Sequence, residues 1–171
     1  MTTEPKKHDL VVTRVFDAPL TQVWKAWSEP GLMMRWWGPT GFTCPVAKMD
    51  FREGGTSLVC MRAPRDFGGQ DYYNTWTYEK IVPMKRFVYI LRFADPDGRI
   101  MDPAGQGLSS DIPKEARHEV AFNDLGNGKT EVTVTEYGWT AGQMMEMSRM
   151  GLEQCLDKMA ALFAEKTAGS R

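Results

Sequence analysis

The stretch from Thr140 to about Lys166 carries no proline and repeats apolar residues at helical spacing. It predicts one long helix, around which the rest of the chain has to pack. Thr140-Ala141-Gly142-Gln143 has the form of a capping box at its start. At 1.5 Å per residue such a helix is roughly 39 Å long. On a wheel Met144, Met145, Ser148, Gly151, Leu152, Cys155, Leu156, Met159, Leu162 and Phe163 form one broad stripe, opposite Glu146, Arg149, Glu153, Asp157 and Glu165. The stripe is bulky at its edges and small in its middle, at Ser148, Gly151 and Cys155. Interiors are close-packed, so something on the facing layer must fill that notch. Sheet aromatics such as Trp76 or Tyr78 are one filler; a ligand is the other.

The preceding residues predict what faces the helix. Leu10 to Phe16 reads as a first strand, with residues 1–8 a flexible N-terminus. Pro19 suits a first helical turn, and Leu20, Val23, Trp24 and Trp27 give a short amphipathic helix. Ser28 is expected to cap a second helix bearing Leu32, Met33, Trp36 and Trp37, which Gly38-Pro39 ends. Strands are then expected over 42–51, 56–62, 71–82 and 87–93, and a last hairpin, 118–122 with 130–136, turns at Asn127-Gly128. The polar, Gly/Pro-rich stretch 94–115 is a long loop, either functional or mobile. Strands that follow one another without βαβ alternation imply an antiparallel sheet with helices on one face, an α+β fold. A single domain over 9–166 with a flexible tail at 167–171 accommodates all of it.

Composition narrows the function classes. The 171 residues carry 21 Lys+Arg against 22 Asp+Glu, so no basic face for nucleic acid is expected. No apolar run approaches the ~20 residues of a membrane span, and the N-terminus has no secretory core. Cys44, Cys60 and Cys155 are odd in number and far apart, which fits a reducing, cytoplasmic location better than a disulfide framework. Only two histidines, His8 and His118, are present, and neither sits at metal-ligand spacing with another ligand, so no metal and no cofactor is expected. Nucleotide-binding and serine-hydrolase motifs are missing.

Asp17-Ala18-Pro19, Val23-Trp24-Lys25-Ala26-Trp27, Pro30 and Trp36-Trp37-Gly38-Pro39 together resemble the opening of bacterial proteins related to the activator of heat-shock-protein-90 ATPase. Asp50-Phe51-Arg52-Glu53-Gly54-Gly55 is similar to that family's Asp-x-Arg-x-Gly-Gly turn, and 79–83, 130–136 and 152–159 match in kind. The resemblance covers roughly residues 10 to 165. It implies the START-like, helix-grip fold: a curved antiparallel sheet of six or seven strands wrapped on the C-terminal helix, with an apolar cavity between them. It does not by itself give a function, since that superfamily holds carriers, receptors, enzymes and co-chaperones alike.

The expected pocket lining is Trp36, Cys60, Arg62, Trp76, Tyr78, Tyr89, His118, Met144, Gly151 and Cys155, with Trp76 and Tyr78, and Cys60 and Arg62, pointing inward by strand parity. Arg62 or His118 would anchor a carboxylate or hydroxyl. Met147, Met150, Tyr73, Val88 and Ile90 would make an apolar patch for self-association. The expected function is the binding of a hydrophobic or amphipathic small molecule without covalent catalysis, in a monomer or homodimer that does not insert into membranes. The alternatives are a cyclase, dehydratase or hydrolase using Arg62, Tyr78 or His118 for proton transfer, and a stress-related chaperone partner.

Overall fold

The computed structural model describes residues 7–109 and 111–169. β1 (Lys7–Phe16) leads into α1 (Leu20–Ser28) and α2 (Pro30–Trp36). β2 (Thr43–Lys48), β3 (Thr56–Arg62), β4 (Asp71–Val82), β5 (Arg86–Ala94), β6 (Glu115–Gly126) and β7 (Lys129–Thr140) follow, and α3 (Gln143–Gly169) closes the chain. The strands form one antiparallel sheet in the order β1-β7-β6-β5-β4-β3-β2. Only β1 leaves sequence order, pairing with β7 at the edge opposite β2. This is the α+β helix-grip arrangement, with α3 lying on the sheet.

The apolar stripe holds α3 in place. Met145, Leu152, Cys155, Leu156, Met159, Leu162 and Phe163 are buried, and Phe163 meets Phe16 of β1 edge-on at 5.6 Å. Leu156 and Met159 are fully enclosed, each worth about 1.5–3 kcal/mol of burial. Polar ties flank the stripe: Arg14 to Asp157 at 2.8 Å, and Lys158 Nζ donating to the carbonyls of Gly38 and Phe42. The last pair fixes the loop after α2 against the helix.

Several local expectations change. Lys7 and His8 pair with Thr140 and Trp139, so β1 starts inside the segment expected to be flexible; residues 1–6 lie outside the described residues. Likewise α3 runs through 167–169, and 170–171 lie outside the described residues. Thr140 caps nothing: it ends β7 and accepts from Lys7, and the first helical bond of α3 runs from Glu146 N to Gly142 O. Ser28 belongs to α1, where its hydroxyl donates to Trp24 O, and Glu29 takes the cap position before α2 without a side-chain hydrogen bond.

Parity on β3 also differs. The register pairs Ser57 with Trp76, Val59 with Asn74 and Met61 with Tyr72, so the odd-numbered residues share Trp76's face. Cys60 and Arg62 therefore point to the opposite face, Cys60 opposite Tyr73. The strand is apolar on both sides, and pairing rather than pattern sets its face. The turn before β3 is sterically exact. A Cβ on Gly55 would stand 2.3 Å from Asp50 O, so only glycine closes this corner.

Candidate functional site: a cavity beneath the C-terminal helix

Leu10, Glu136, His118, Tyr89 and Tyr78 are successive register partners across β1, β7, β6, β5 and β4. Register partners share a face, so these side chains form one row across the sheet. Aromatic stacking reinforces it. Trp76 stacks on Tyr89 with centroids 4.3 Å apart, and Tyr89 stacks on His118 at 4.9 Å. Trp37, just past α2, meets Trp76 edge-on at 5.1 Å.

The row carries a buried glutamate–histidine pair. His118 and Glu136 are each only 6% exposed, with Nε2 3.4 Å from Oε2. The other carboxylate oxygen accepts from Trp139 Nε1 at 3.1 Å and from Ser148 Oγ at 3.2 Å. Trp139 faces inward because β7 carries one extra residue against β1: Leu10 pairs with Glu136, but His8 pairs with Trp139. Gly138, at φ +86°, supplies this bulge. Burial pushes the Glu136 carboxyl up. Attraction to His118, and the hydrogen bonds from His118, Trp139 and Ser148, outweigh it and hold the group below the ordinary glutamate value.

Two adjoining cavities open around this pair. One has a volume of about 210 Å³ and is lined by Tyr89, Gly151, Leu152 and Cys155, among others. The second, about 330 Å³, is lined by Leu91, Phe93, Leu108, Ile112 and Met144, among others. They share Trp37, Met61, His118, Glu136, Met147 and Ser148. Met147, half exposed, marks the mouth. Leu108 and Ile112 come from the long connection between β5 and β6, so that segment closes one end of the cavity.

The residues expected at a pocket divide. Tyr89, His118, Gly151 and Cys155 line the first cavity, and His118 and Met144 the second. Trp36 lies behind, its indole donating to Ala26 O and its ring against Trp27. Trp76 and Tyr78 face inward without lining either cavity. Trp76 stacks under Tyr89, and the Tyr78 hydroxyl pairs with Ser57 at 2.9 Å. Cys60 is on the other face, and Arg62 grips Asp71 with two hydrogen bonds, 2.7 and 3.1 Å, so it anchors nothing in the cavity. The apolar patch does not assemble either. Val88 is buried, and Tyr73, Val88 and Ile90 are on the sheet face away from Met147 and Met150.

Glu136, Ser148 as a hydrogen-bond donor, and Trp139 had no place among the expected polar site residues. Glu136 was within reach: it has the inward parity of Val132 and Val134. A charged residue on the inner face of a strand is a signal in itself. The cysteine in the cavity is no nucleophile. Burial pushes the Cys155 thiol up to about 12, so it stays protonated at neutral pH. Among the described residues no helix is long and apolar enough to cross a membrane.

A curved antiparallel sheet, a long C-terminal helix laid over it and a cavity between the two define a START-like, helix-grip domain. The family model "Activator of Hsp90 ATPase homolog 1-like protein" matches residues 17–164, and the chain belongs to that family. Solved structures agree with the fold. A protein from Chromobacterium violaceum superposes with a TM-score of 0.72 at 25% identity, over 90% of this chain and 95% of that one. The AHSA1 protein from Silicibacter pomeroyi gives 0.73 at 19% identity, over 93% and 99%. A protein from Arthrobacter aurescens gives 0.74 at 21%, over 92% and 86%. No curated protein matches the chain.

Proposed function

We propose that this protein is a small-molecule binding domain that holds a hydrophobic or amphipathic ligand between the sheet and α3, without covalent chemistry. The observation that carries the reading is a largely apolar cavity with one buried polar pair, Glu136 and His118, in its wall. A mostly apolar concavity with a few placed polar groups is the usual form of a small-ligand site. Gly151 supports it further: mid-helix glycine costs about 1 kcal/mol against alanine, yet here a glycine lines the first cavity. Three unpaired, buried cysteines fit a reducing compartment such as the cytoplasm.

A thermal-shift and native mass-spectrometry panel of apolar metabolites and lipids tests the reading. At least one compound class is expected to raise Tm in the native chain, and Gly151→Leu, which fills the cavity from the helix side, is expected to abolish that shift. A ligand that binds Gly151→Leu undiminished would place the site elsewhere.

A further inference from the structure

The polar groups around the cavity constrain what its ligand can carry, on the reading that the cavity is the binding site. The carboxylate of Glu136 has one oxygen filled by Trp139 and Ser148; the other faces His118 and keeps one acceptor position open. His118 Nδ1 lies 3.0 Å from Ala116 O, an oxygen that can only accept, so Nδ1 carries a hydrogen. Nε2 faces Oε2, and Glu136, held below the ordinary glutamate value, carries the negative charge there.

No Lys or Arg lines either cavity among the described residues. Lys158, on α3 nearby, is committed to the carbonyls of Gly38 and Phe42, and Arg62 is held by Asp71. An ionised carboxylate or phosphate would therefore be buried beside Glu136 without a counter-ion, which is strongly unfavourable.

Three side-chain donors remain at the first cavity. The Tyr89 hydroxyl has no hydrogen-bond partner among the described residues, and burial keeps it protonated well above the ordinary range. The indole N–H groups of Trp27 and Trp37 are buried and unpartnered, and both side chains line the first cavity. Unmade hydrogen bonds of this kind are filled when a ligand brings the complement.

We infer that the ligand is an uncharged, hydroxyl-bearing apolar molecule, its oxygen accepting a hydrogen bond from the Tyr89 hydroxyl and its own O–H donating one to the Glu136 carboxylate. The volumes set the size. About 150 Å³ houses benzene, so cavities of 210 and 330 Å³ suit a body of one or two rings.

The test is calorimetric titration at neutral pH with naphthalene, 2-naphthol and 2-naphthoate, on the native chain and on Tyr89→Phe. Tyr89→Phe keeps the stacked ring and removes only a hydroxyl without a partner, so the variant folds. The native chain should bind 2-naphthol about tenfold more tightly than naphthalene, and 2-naphthoate least. Tyr89→Phe should shrink the naphthol preference several-fold and leave naphthalene unchanged. Binding of 2-naphthoate as tight as 2-naphthol, or a naphthol preference that survives Tyr89→Phe, overturns the inference. Naphthalene and 2-naphthol bound equally overturns the polar assignment alone. No binding by any of the three overturns the cavity reading beneath it as well.

Discussion

His118 Nε2 stands 3.4 Å from Glu136 Oε2, on neighbouring strands, in the wall of a largely apolar cavity. Removing one partner of a buried pair leaves the other uncompensated, whereas replacing both with apolar groups is often tolerated. Glu136→Leu should therefore cost about 3–5 kcal/mol in urea unfolding. Glu136→Leu with His118→Phe should recover at least half of that loss. Additive losses would mean that the two groups are not coupled.

The pair also sets the acid limit. A carboxyl held below its ordinary value of 4.5 contributes stability that is fully present above that pH and is lost as pH falls through its lower folded value. Tm of the native chain should fall below about pH 4.5. Glu136→Gln, with no proton to take up, should show a shallower slope over the same interval, though a lower Tm at neutral pH. Parallel slopes would remove Glu136 from the acid transition.

Gly151 separates stability from function. A Cβ there would sit 3.8 Å from Pro39 Cβ, an ordinary contact. Gly151→Ala should thus stabilise the ligand-free protein by up to about 1 kcal/mol through helix propensity. It should also weaken binding of two-ring ligands, because the new methyl enters the cavity. A loss of stability would show that the space is already filled.

Gly55 behaves in the opposite way. Its Cβ would meet the Asp50 carbonyl oxygen at 2.3 Å, a backbone atom that cannot swing aside. Gly55→Ala should cost about 2 kcal/mol or more and shift β2 against β3. Gly54→Ala next to it meets nothing, and loses only what its φ of +82° imposes.

The sequence makes some of this legible and hides the rest for identifiable reasons. The stripe on α3 could be read because a helix repeats its face every 3.6 residues over a long span. Its small centre at Ser148, Gly151 and Cys155 does line the cavity. Tyr89 and His118 could be picked by residue type. The inward face of β3 could not, because Leu58, Val59, Cys60 and Met61 offer no alternation and only the pairing of Ser57 with Trp76 decides it. The Glu136–His118 pair depends on a register between β6 and β7, and Trp139 joins it through a bulge at Gly138. Both are tertiary facts with no local pattern. The closing of the cavity by Leu108 and Ile112 was hidden in the same way, inside a polar loop.

The most direct test of the central claim is a backbone-amide NMR titration of the native chain with a neutral two-ring ligand such as 2-naphthol. The account predicts saturable shifts at Tyr89, His118, Glu136, Ser148 and Gly151, with Val11 and Val15 on the exposed side of β1 unmoved. Shifts centred on Val11 and Val15, or none at the cavity residues at saturation, would contradict it.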